Sequence, residues 1–322
     1  MNTTKKLTEA ALLSSLFIVS TIFAVGSGFG YALYLDFAVP IFFCIVYLKC
    51  DTKYTILSGI SSLLIIFLIL GNIGTAIWAS QSIILGIMCG IFISKDTTIL
   101  DDIICASILG IILMVFIDIY ASALIGYSFM EEFQGYAKMF PFKDYINTVY
   151  YLFIATFPLG TVFSIYYLSL LLGKKLRVLK GNATKKLYVI NNFKAVGRFM
   201  CCSKKVFYSC VIYIFIIQGL ELVGIKFNNT YIKTILISIQ YLCLYFVIRD
   251  SYSSLQNYIL SKYQKILYAR ILSLITLILL IVFFKFTTTI LIIIDIVLDK
   301  KINIRLKQID IISAYTSRLI QK

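Results

Sequence analysis

The chain has 322 residues, of which 60% are hydrophobic and only 14% charged, and its formal net charge is +15. So low a charged fraction excludes an ordinary soluble globular domain. The basic residues are spread between long apolar runs and do not gather in one polar stretch, so the positive charge favours contact with anionic lipid over binding of nucleic acid.

Apolar runs of about the length of a membrane-spanning helix recur along the chain. Continuous runs predict helices, since membrane strands would show alternating patterns of about ten residues. We therefore predict an all-α, polytopic transmembrane helical bundle with about 8–10 spans. The predicted spans are residues 7–25, 31–48, 54–70, 75–94, 103–125, 149–172, 206–225, 231–248, 267–284 and 286–298. The last run is too short to cross a bilayer alone, so 267–298 is either one long helix or two shorter segments.

The first predicted span begins with small side chains spaced four residues apart. Ala10 precedes Ser14 at this spacing, and Ala11 precedes Ser15. Helices in a bilayer associate through close packing, which small residues permit. This face therefore either packs inside the bundle or docks a helix of another membrane protein. A pair of glycines with the same spacing lies in the fourth span and leaves the same two alternatives open.

Several polar side chains lie toward the predicted outer ends of the spans. Ionisable groups inside a bilayer are costly, which makes them candidates for function. The candidate substrate-binding residues are Asp118, Trp78, Asn72, Gln81 and Asp36. An outward-opening pocket would gather them, while snorkelling toward the interface would explain Asp36 equally well. Asp118 lies deepest, and either a ligand contact or a protonated bond to a neighbouring helix would account for it.

The outer connection after the fifth span carries aromatic residues at helical spacing. Phe133, Tyr136 and Phe140 recur three or four residues apart, with charged residues between them. This pattern predicts a short helix in the membrane interface that ends at Pro141. The helix either belongs to an aromatic belt or covers a site beneath it.

One long cytoplasmic connection divides the chain. Residues 173–205 are rich in Lys and Arg and contain no acidic residue. We predict a six-span bundle at residues 1–172, this basic cytoplasmic loop at 173–205, and C-terminal transmembrane helices with a basic tail at 206–322. The loop either lies along lipid headgroups or docks an acidic partner.

No catalytic, cofactor or metal site is predicted. The sequence has eight cysteines without a CxxC pair and has no histidine, which argues against zinc or haem. We therefore expect no enzymatic activity and no cofactor. Near the C-terminal end, Asp295 and Asp299 are expected to form local ion pairs with Lys300 and Lys301.

Two stretches resemble a known family. The opening "KKLTEAALLSSLF" and the close "IIIDIVLDKKINIR" are similar to the two ends of the YybS-like family of bacterial polytopic membrane proteins of unknown function. Asp295, Asp299 and Arg305 match the end pattern of that family. The first six spans resemble S-components, the substrate-capturing subunits of energy-coupling-factor transporters. That resemblance implies that small residues of the first helix dock a transmembrane coupling subunit; the matching residues are Ala10, Ala11, Ser14 and Ser15.

These features favour a solute-binding or transport-associated subunit that crosses the bacterial cytoplasmic membrane several times. The alternative is a non-enzymatic scaffold or regulatory protein that recruits partner membrane proteins. The expected partners are the lipid bilayer, another membrane protein at the first helix, and a small-molecule solute. No nucleic acid is expected.

The distribution of Lys and Arg predicts that both termini are cytoplasmic. If the N-terminus lies inside and ten segments alternate, 25 of the 30 basic residues lie on the inner side, as the positive-inside rule requires. Reporter fusions at Lys322 and within residues 173–205 should both report an inside location, and a fusion within residues 126–148 should report the outside. An outside signal from either of the first two would contradict this topology.

Overall fold

The computed structural model describes residues 3–28, 33–126, 128–137, 146–224 and 229–320, and every regular element within them is helical. The helices are α1 (Thr3–Ser27), α2 (Val39–Leu70), α3 (Ile73–Ser94), α4 (Ile99–Ile125), α5 (Phe129–Ala137), α6 (Ile146–Lys175), α7 (Asn182–Asn191), α8 (Phe193–Val196), α9 (Lys204–Leu222), α10 (Thr230–Tyr263), α11 (Ile266–Val282), α12 (Phe284–Ile302) and α13 (Ile304–Ile320). A π-helical segment, Tyr34–Ala38, leads into α2.

Seven elements of the described chain are long and apolar enough to cross a membrane, and α11 is a shorter apolar helix. The seven are α1, the π-helical segment with α2, α3, α4, α6, α9 and α10. This confirms the predicted polytopic helical bundle. The predicted interfacial helix corresponds to α5, whereas Phe140 and Pro141 lie outside the described residues.

Helix α2 turns back on itself at Asp51 and so contains two of the predicted spans. The backbone of Asp51 is not helical, with φ 69° and ψ 172°. A Cβ placed on Gly59 would lie 3.7 Å from the ring of Phe43, although a straight helix would separate the two residues by about 24 Å. The stretches on either side of Asp51 therefore lie side by side, as expected for spans 31–48 and 54–70.

The chain folds into two compact units that each draw on separate stretches of sequence. Unit 1 comprises Met1–Asp96, Cys105–Leu187 and Asn228–Ile239, and unit 2 comprises Thr97–Ile104, Tyr188–Phe227 and Gln240–Lys322. The three predicted segments, 1–172, 173–205 and 206–322, are each continuous in sequence, whereas each unit combines separate stretches. The division into these segments therefore stays a prediction.

The core of unit 1 is built from aromatic and aliphatic side chains of α1, the π-helical segment, α2 and α3. Phe17 meets the ring of Phe43 edge-on, with 4.9 Å between the ring centroids. Aromatic pairs prefer this arrangement, which adds to the gain from burial. The other buried members of the cluster are Ile18, Leu35, Val39, Ile66, Ala79 and Ile83.

The small residues of α1 divide between an inner and an outer face. Ala10 and Ser14 are buried, and Ser14 Oγ lies 2.6 Å from Ser62 Oγ of α2. Ala11 and Ser15 are exposed. Ala10 and Ser14 therefore serve packing within unit 1, which is the first of the two alternatives for this helix. The face with Ala11 and Ser15 remains exposed.

The glycine pair of α3 brings two backbones together. A Cβ on Gly86 would lie 2.8 Å from the Cα of Pro40, and a Cβ on Gly90 would lie 2.8 Å from the ring of Tyr47. Separations under 3.0 Å are closer than real Cβ atoms approach other heavy atoms. Only glycine therefore allows α3 to pack this closely against the first half of α2.

The basic stretch 173–205 is tied to unit 1 by a buried lysine. Lys186 of α7 donates hydrogen bonds to the carbonyls of Phe92 and Lys95, at 2.7 and 2.8 Å. These carbonyls end α3, where a helix has unpaired acceptors and attracts a positive charge. The part of the stretch around Lys186 is thus folded against a helix end within unit 1.

The two apolar runs near the C-terminal end form separate helices. Helices α11 and α12 meet at Phe283, whose backbone is not helical (φ −129°, ψ 57°). Thr287 Oγ1 donates to the carbonyl of Leu279 at 2.9 Å across this break. Residues 267–298 therefore form two shorter segments and not one long helix.

A buried arginine joins two helices within unit 2. Arg305 of α13 forms ion pairs with Asp250 of α10 and Asp295 of α12, and the three side chains are at most 1% exposed. Its guanidinium also donates to the carbonyl of Cys202 at 3.1 Å and lies over the ring of Phe207. Removing one partner of such a buried pair costs about 3–5 kcal/mol, because a charge is left uncompensated.

The expected local pairing of the two C-terminal aspartates is wrong. Asp295 pairs with Arg305, and Asp299 lies 3.2 Å from Lys204 Nζ. Residues four apart share a helix face, so both aspartates point into unit 2. Lys300 and Lys301 follow on other faces of α12 and are exposed.

The adjacent cysteines before α9 are part of the same buried region. Burial, together with the nearby carboxylate of Asp250, raises the pKa of Cys201 to about 12. The backbone N–H of Cys202 donates to Asp250 at 3.1 Å. Both thiols are therefore protonated at neutral pH, which suits a packing role better than nucleophilic or redox chemistry.

Gly86→Ala should destabilise the protein, since the added methyl collides with the backbone of Pro40. The expected loss is about 1–3 kcal/mol in the free energy of unfolding in mixed micelles, as for other overpacked sites. The matched control is Gly160→Ala in α6, where a Cβ would meet nothing within 4 Å. Equal stability of the two variants would contradict the close contact between α3 and α2.

Candidate functional site

Unit 1 contains a cavity of about 540 Å³. Cavities of this size commonly hold small molecules. Its walls come from the π-helical segment, α3, α4, α5, α6 and the first turn of α10. The described lining residues are Asp36, Gly74, Ile77, Trp78, Gln81, Met114, Val115, Ile117, Asp118, Ala121, Phe129, Tyr150, Phe153, Ile154, Phe157 and Tyr231.

Four of the five predicted binding residues line this cavity, namely Asp36, Trp78, Gln81 and Asp118. The fifth, Asn72, lies outside the described lining. Its side chain accepts a hydrogen bond from the backbone N–H of Thr75 at 3.2 Å and so caps the start of α3. Asparagine is a preferred residue at this position of a helix, which explains Asn72 without a ligand.

A hydrogen bond between two half-buried side chains forms one wall of the cavity. Trp78 Nε1 donates to Asp36 Oδ1 at 2.9 Å. The bond joins α3 to the π-helical segment, an element that is often found at functional sites. It fixes a carboxylate and the face of an indole ring beside the same space. Trp78 is also the single tryptophan of the chain.

Asp118 holds the first turn of α5. It accepts a hydrogen bond from the backbone N–H of Phe129 at 2.6 Å and another from Ser128 Oγ at 3.3 Å. Ser128 Oγ in turn accepts from the N–H of Glu131. The carboxylate therefore satisfies a helix N-terminus, which favours negative charge. Asp118 caps α5 and also lines the cavity. Both alternatives for this residue, a structural bond and a ligand contact, therefore remain open.

Aromatic rings from two helices cover much of the cavity. Phe129 stacks on Phe153 with 5.8 Å between ring centroids, and Phe133 lies 4.9 Å from Tyr150. Helix α5 thus closes one side of the space, in line with the alternative that it covers a site. Sequence reasoning missed the rings of α6, although their spacing of three and four residues at Tyr150, Phe153 and Phe157 places them on one helix face.

The charged residues in the described lining of the cavity are all acidic. Asp36 and Asp118 are acidic, six lining residues are aromatic, and none of the described lining residues is Lys or Arg. Aromatic faces and carboxylates both attract cations, and more strongly where water is excluded. The arrangement can therefore hold an organic cation with an apolar body. The described part of the chain contains no cluster of His, Cys, Asp or Glu suited to a metal ion.

Residues 12–140 match the model of a family described as "Predicted membrane protein (DUF2232)". The match covers less than half of the chain, so the similarity is limited to this stretch. It runs from α1 to just after α5 and includes four helical elements that line the cavity. No curated protein and no solved structure matches the chain.

Asp118→Leu should loosen α5, because the Phe129 N–H then loses its acceptor. Capping bonds contribute about 0.5–2 kcal/mol, so amides of the first turn of α5 should exchange with deuterium roughly 2–30 times faster. Asp118→Asn should leave exchange nearly unchanged, since Asn caps as well as Asp. Unchanged exchange in Asp118→Leu would show that the bond does not hold α5.

Proposed function

We propose that this protein is a solute-binding subunit of a bacterial cytoplasmic membrane and takes part in transport. The observation that supports this is the cavity in unit 1, where Asp36, Trp78, Gln81 and Asp118 share one mostly apolar space. Convergence of a few polar groups in an apolar cavity is typical of small-molecule sites.

The proposed solute carries a positive charge and an apolar or aromatic body. Asp36 and Asp118 would face the charge from two walls, and the ring of Trp78 would stack against the body. The amide of Gln81 adds a donor and an acceptor that can fix the orientation of the solute. An anionic solute would meet two carboxylates and is disfavoured by repulsion.

Active uptake would need either a separate ATPase or an ion gradient, since the given sequence shows no phosphate-binding glycine loop for ATP. The outer face of α1 suits contact with a partner subunit, because Ala11 and Ser15 are small and exposed. Small residues let a partner helix approach closely in the bilayer. The resemblance of the first six spans to S-components supports the same arrangement.

A non-enzymatic scaffold is the second candidate function. It too is favoured by the exposed Ala11 and Ser15, which would recruit another membrane protein whether or not the cavity is filled. In this case the cavity would be a by-product of packing between aromatic helices. The two functions differ in one observable, which is whether a small molecule stays with the protein.

Native mass spectrometry of the gently solubilised protein should show a bound small molecule. Asp118→Asn should lose that molecule with little change in thermal stability, because Asn keeps the cap on α5 and removes the charge. Asp51→Asn is the matched control, since it removes the same charge at an exposed turn outside the described lining.

A bound membrane protein without any small molecule would favour the scaffold. Retention of the small molecule by Asp118→Asn would contradict charge recognition by this residue. Equal loss in Asp51→Asn would show that overall charge, not the cavity, governs retention.

A further inference from the structure

A groove on the outer surface of unit 1 shares a wall with the cavity. The groove has a volume of about 380 Å³ and lies between α3 and α4. Ile77, Gln81 and Ile117 line both the groove and the cavity. The two spaces therefore adjoin at these three side chains.

The groove faces the hydrocarbon of the bilayer. The exposed fractions of Phe116, Tyr120 and Leu124 on α4 are 47%, 55% and 59%. Ile84 on α3 is also exposed and lies three turns into a membrane-spanning helix. Apolar side chains exposed at this depth contact lipid acyl chains, so the groove offers an apolar chain the same surroundings as the bilayer itself.

The cavity is more firmly closed toward α5. Phe129 and Phe133 stack against Phe153 and Tyr150, and the bond between Asp118 and the Phe129 N–H ties α5 in place. Opening this side would break a helix cap and several ring contacts together. On the α3–α4 side the shared residues include Gln81, whose unbranched side chain can adopt several rotamers.

We infer that the cavity accepts a single-chain amphiphilic cation from the bilayer through the groove between α3 and α4. This inference rests on the proposed function of the cavity. The cationic head lies between Asp36 and Asp118, beside Trp78. The alkyl tail passes Gln81 and lies in the groove, where it keeps its apolar surroundings.

This route solves an energetic problem for such a ligand. The tail of a membrane-dissolved amphiphile contacts lipid. If the whole molecule entered a closed cavity that is too small for it, the tail would lose this contact. With the tail in the groove, only the head changes surroundings, and it exchanges the interface for two carboxylates and an aromatic face. Tail length should therefore have little influence on binding of membrane-dissolved ligand.

The single tryptophan gives a direct readout, since Trp78 lies in the cavity wall. The probes are butyl-, octyl- and dodecyltrimethylammonium, added to the full-length protein in phosphatidylcholine nanodiscs. Dodecyl sulfate is the probe of opposite charge. Binding is followed by Trp78 emission, and each variant is compared with the wild type at equal lipid, so that partitioning of the probe cancels.

The test variant is Ser80→Phe, because Ser80 lines the groove but not the cavity. The matched control is Ser164→Phe in α6, outside both linings. Both serines are half-buried and donate to carbonyls of their own helix, at 2.6 Å for Ser80 and 2.9 Å for Ser164. Ser80→Leu is a smaller obstruction for use if Ser80→Phe unfolds.

Ser80→Phe should weaken dodecyltrimethylammonium binding by roughly tenfold, as overfilling of a packed site does. Butyltrimethylammonium should bind within about twofold of wild type, since its tail stays in the cavity. Ser164→Phe should change neither, and dodecyl sulfate should not bind.

Two results would overturn the inference while leaving the proposed function intact. One is binding of the butyl probe without the dodecyl probe in the wild type. The other is an equal effect of Ser80→Phe and Ser164→Phe on the dodecyl probe. If no cationic probe changes Trp78 emission, or if binding survives in Asp36→Asn/Asp118→Asn, cation recognition by the cavity fails, and the proposed function fails with it.

Discussion

The polar wall of the cavity depends on the short distance between α3 and the first half of α2. The contact of Gly86 with the backbone of Pro40 sets this distance. Lipid surrounds these helices, so they gain little from the hydrophobic effect and depend on close packing to associate. Trp78 lies about two turns before Gly86, and Asp36 lies one turn before Pro40. With the helices held at this distance, the Trp78 indole reaches the Asp36 carboxylate and the cavity has its first polar wall.

The two units meet the demands of the bilayer by different means. Unit 1 joins its helices through small residues and aromatic rings, and its polar side chains border a space. Unit 2 places Arg305 between Asp250 and Asp295 and leaves little room around them. In a medium that cannot solvate charge, only paired ions are tolerated. Asp36, Gln81 and Asp118 of unit 1 thus border a space, whereas Arg305, Asp250 and Asp295 of unit 2 bond one another.

The sequence was a good guide wherever lipid dictates the pattern. Long apolar runs predicted the helices, and the cost of ionisable groups in a bilayer singled out Asp36 and Asp118 as residues that need an explanation. Contacts between distant stretches were beyond it: nothing near Asp250 indicates that its partner is Arg305, 55 residues later. Neither could composition separate Asn72, which caps a helix, from Gln81, which lines the cavity, since both are amides near the outer ends of apolar runs.

The buried ion pairs of unit 2 also impose an order of events during synthesis. Asp250 and Asp295 both leave the ribosome before Arg305 does. Until the arginine follows, both carboxyls lack this counter-ion, which is costly for an ionisable group in a bilayer. Asp250 then has its neighbour Arg249, 3.4 Å away, to offset its charge. The helices that carry these carboxyls are therefore more stable near water, or with the membrane insertion machinery, until α13 has been made. A nascent chain halted before Arg305 would leave Asp295 without its arginine partner and Asp250 with its neighbour Arg249.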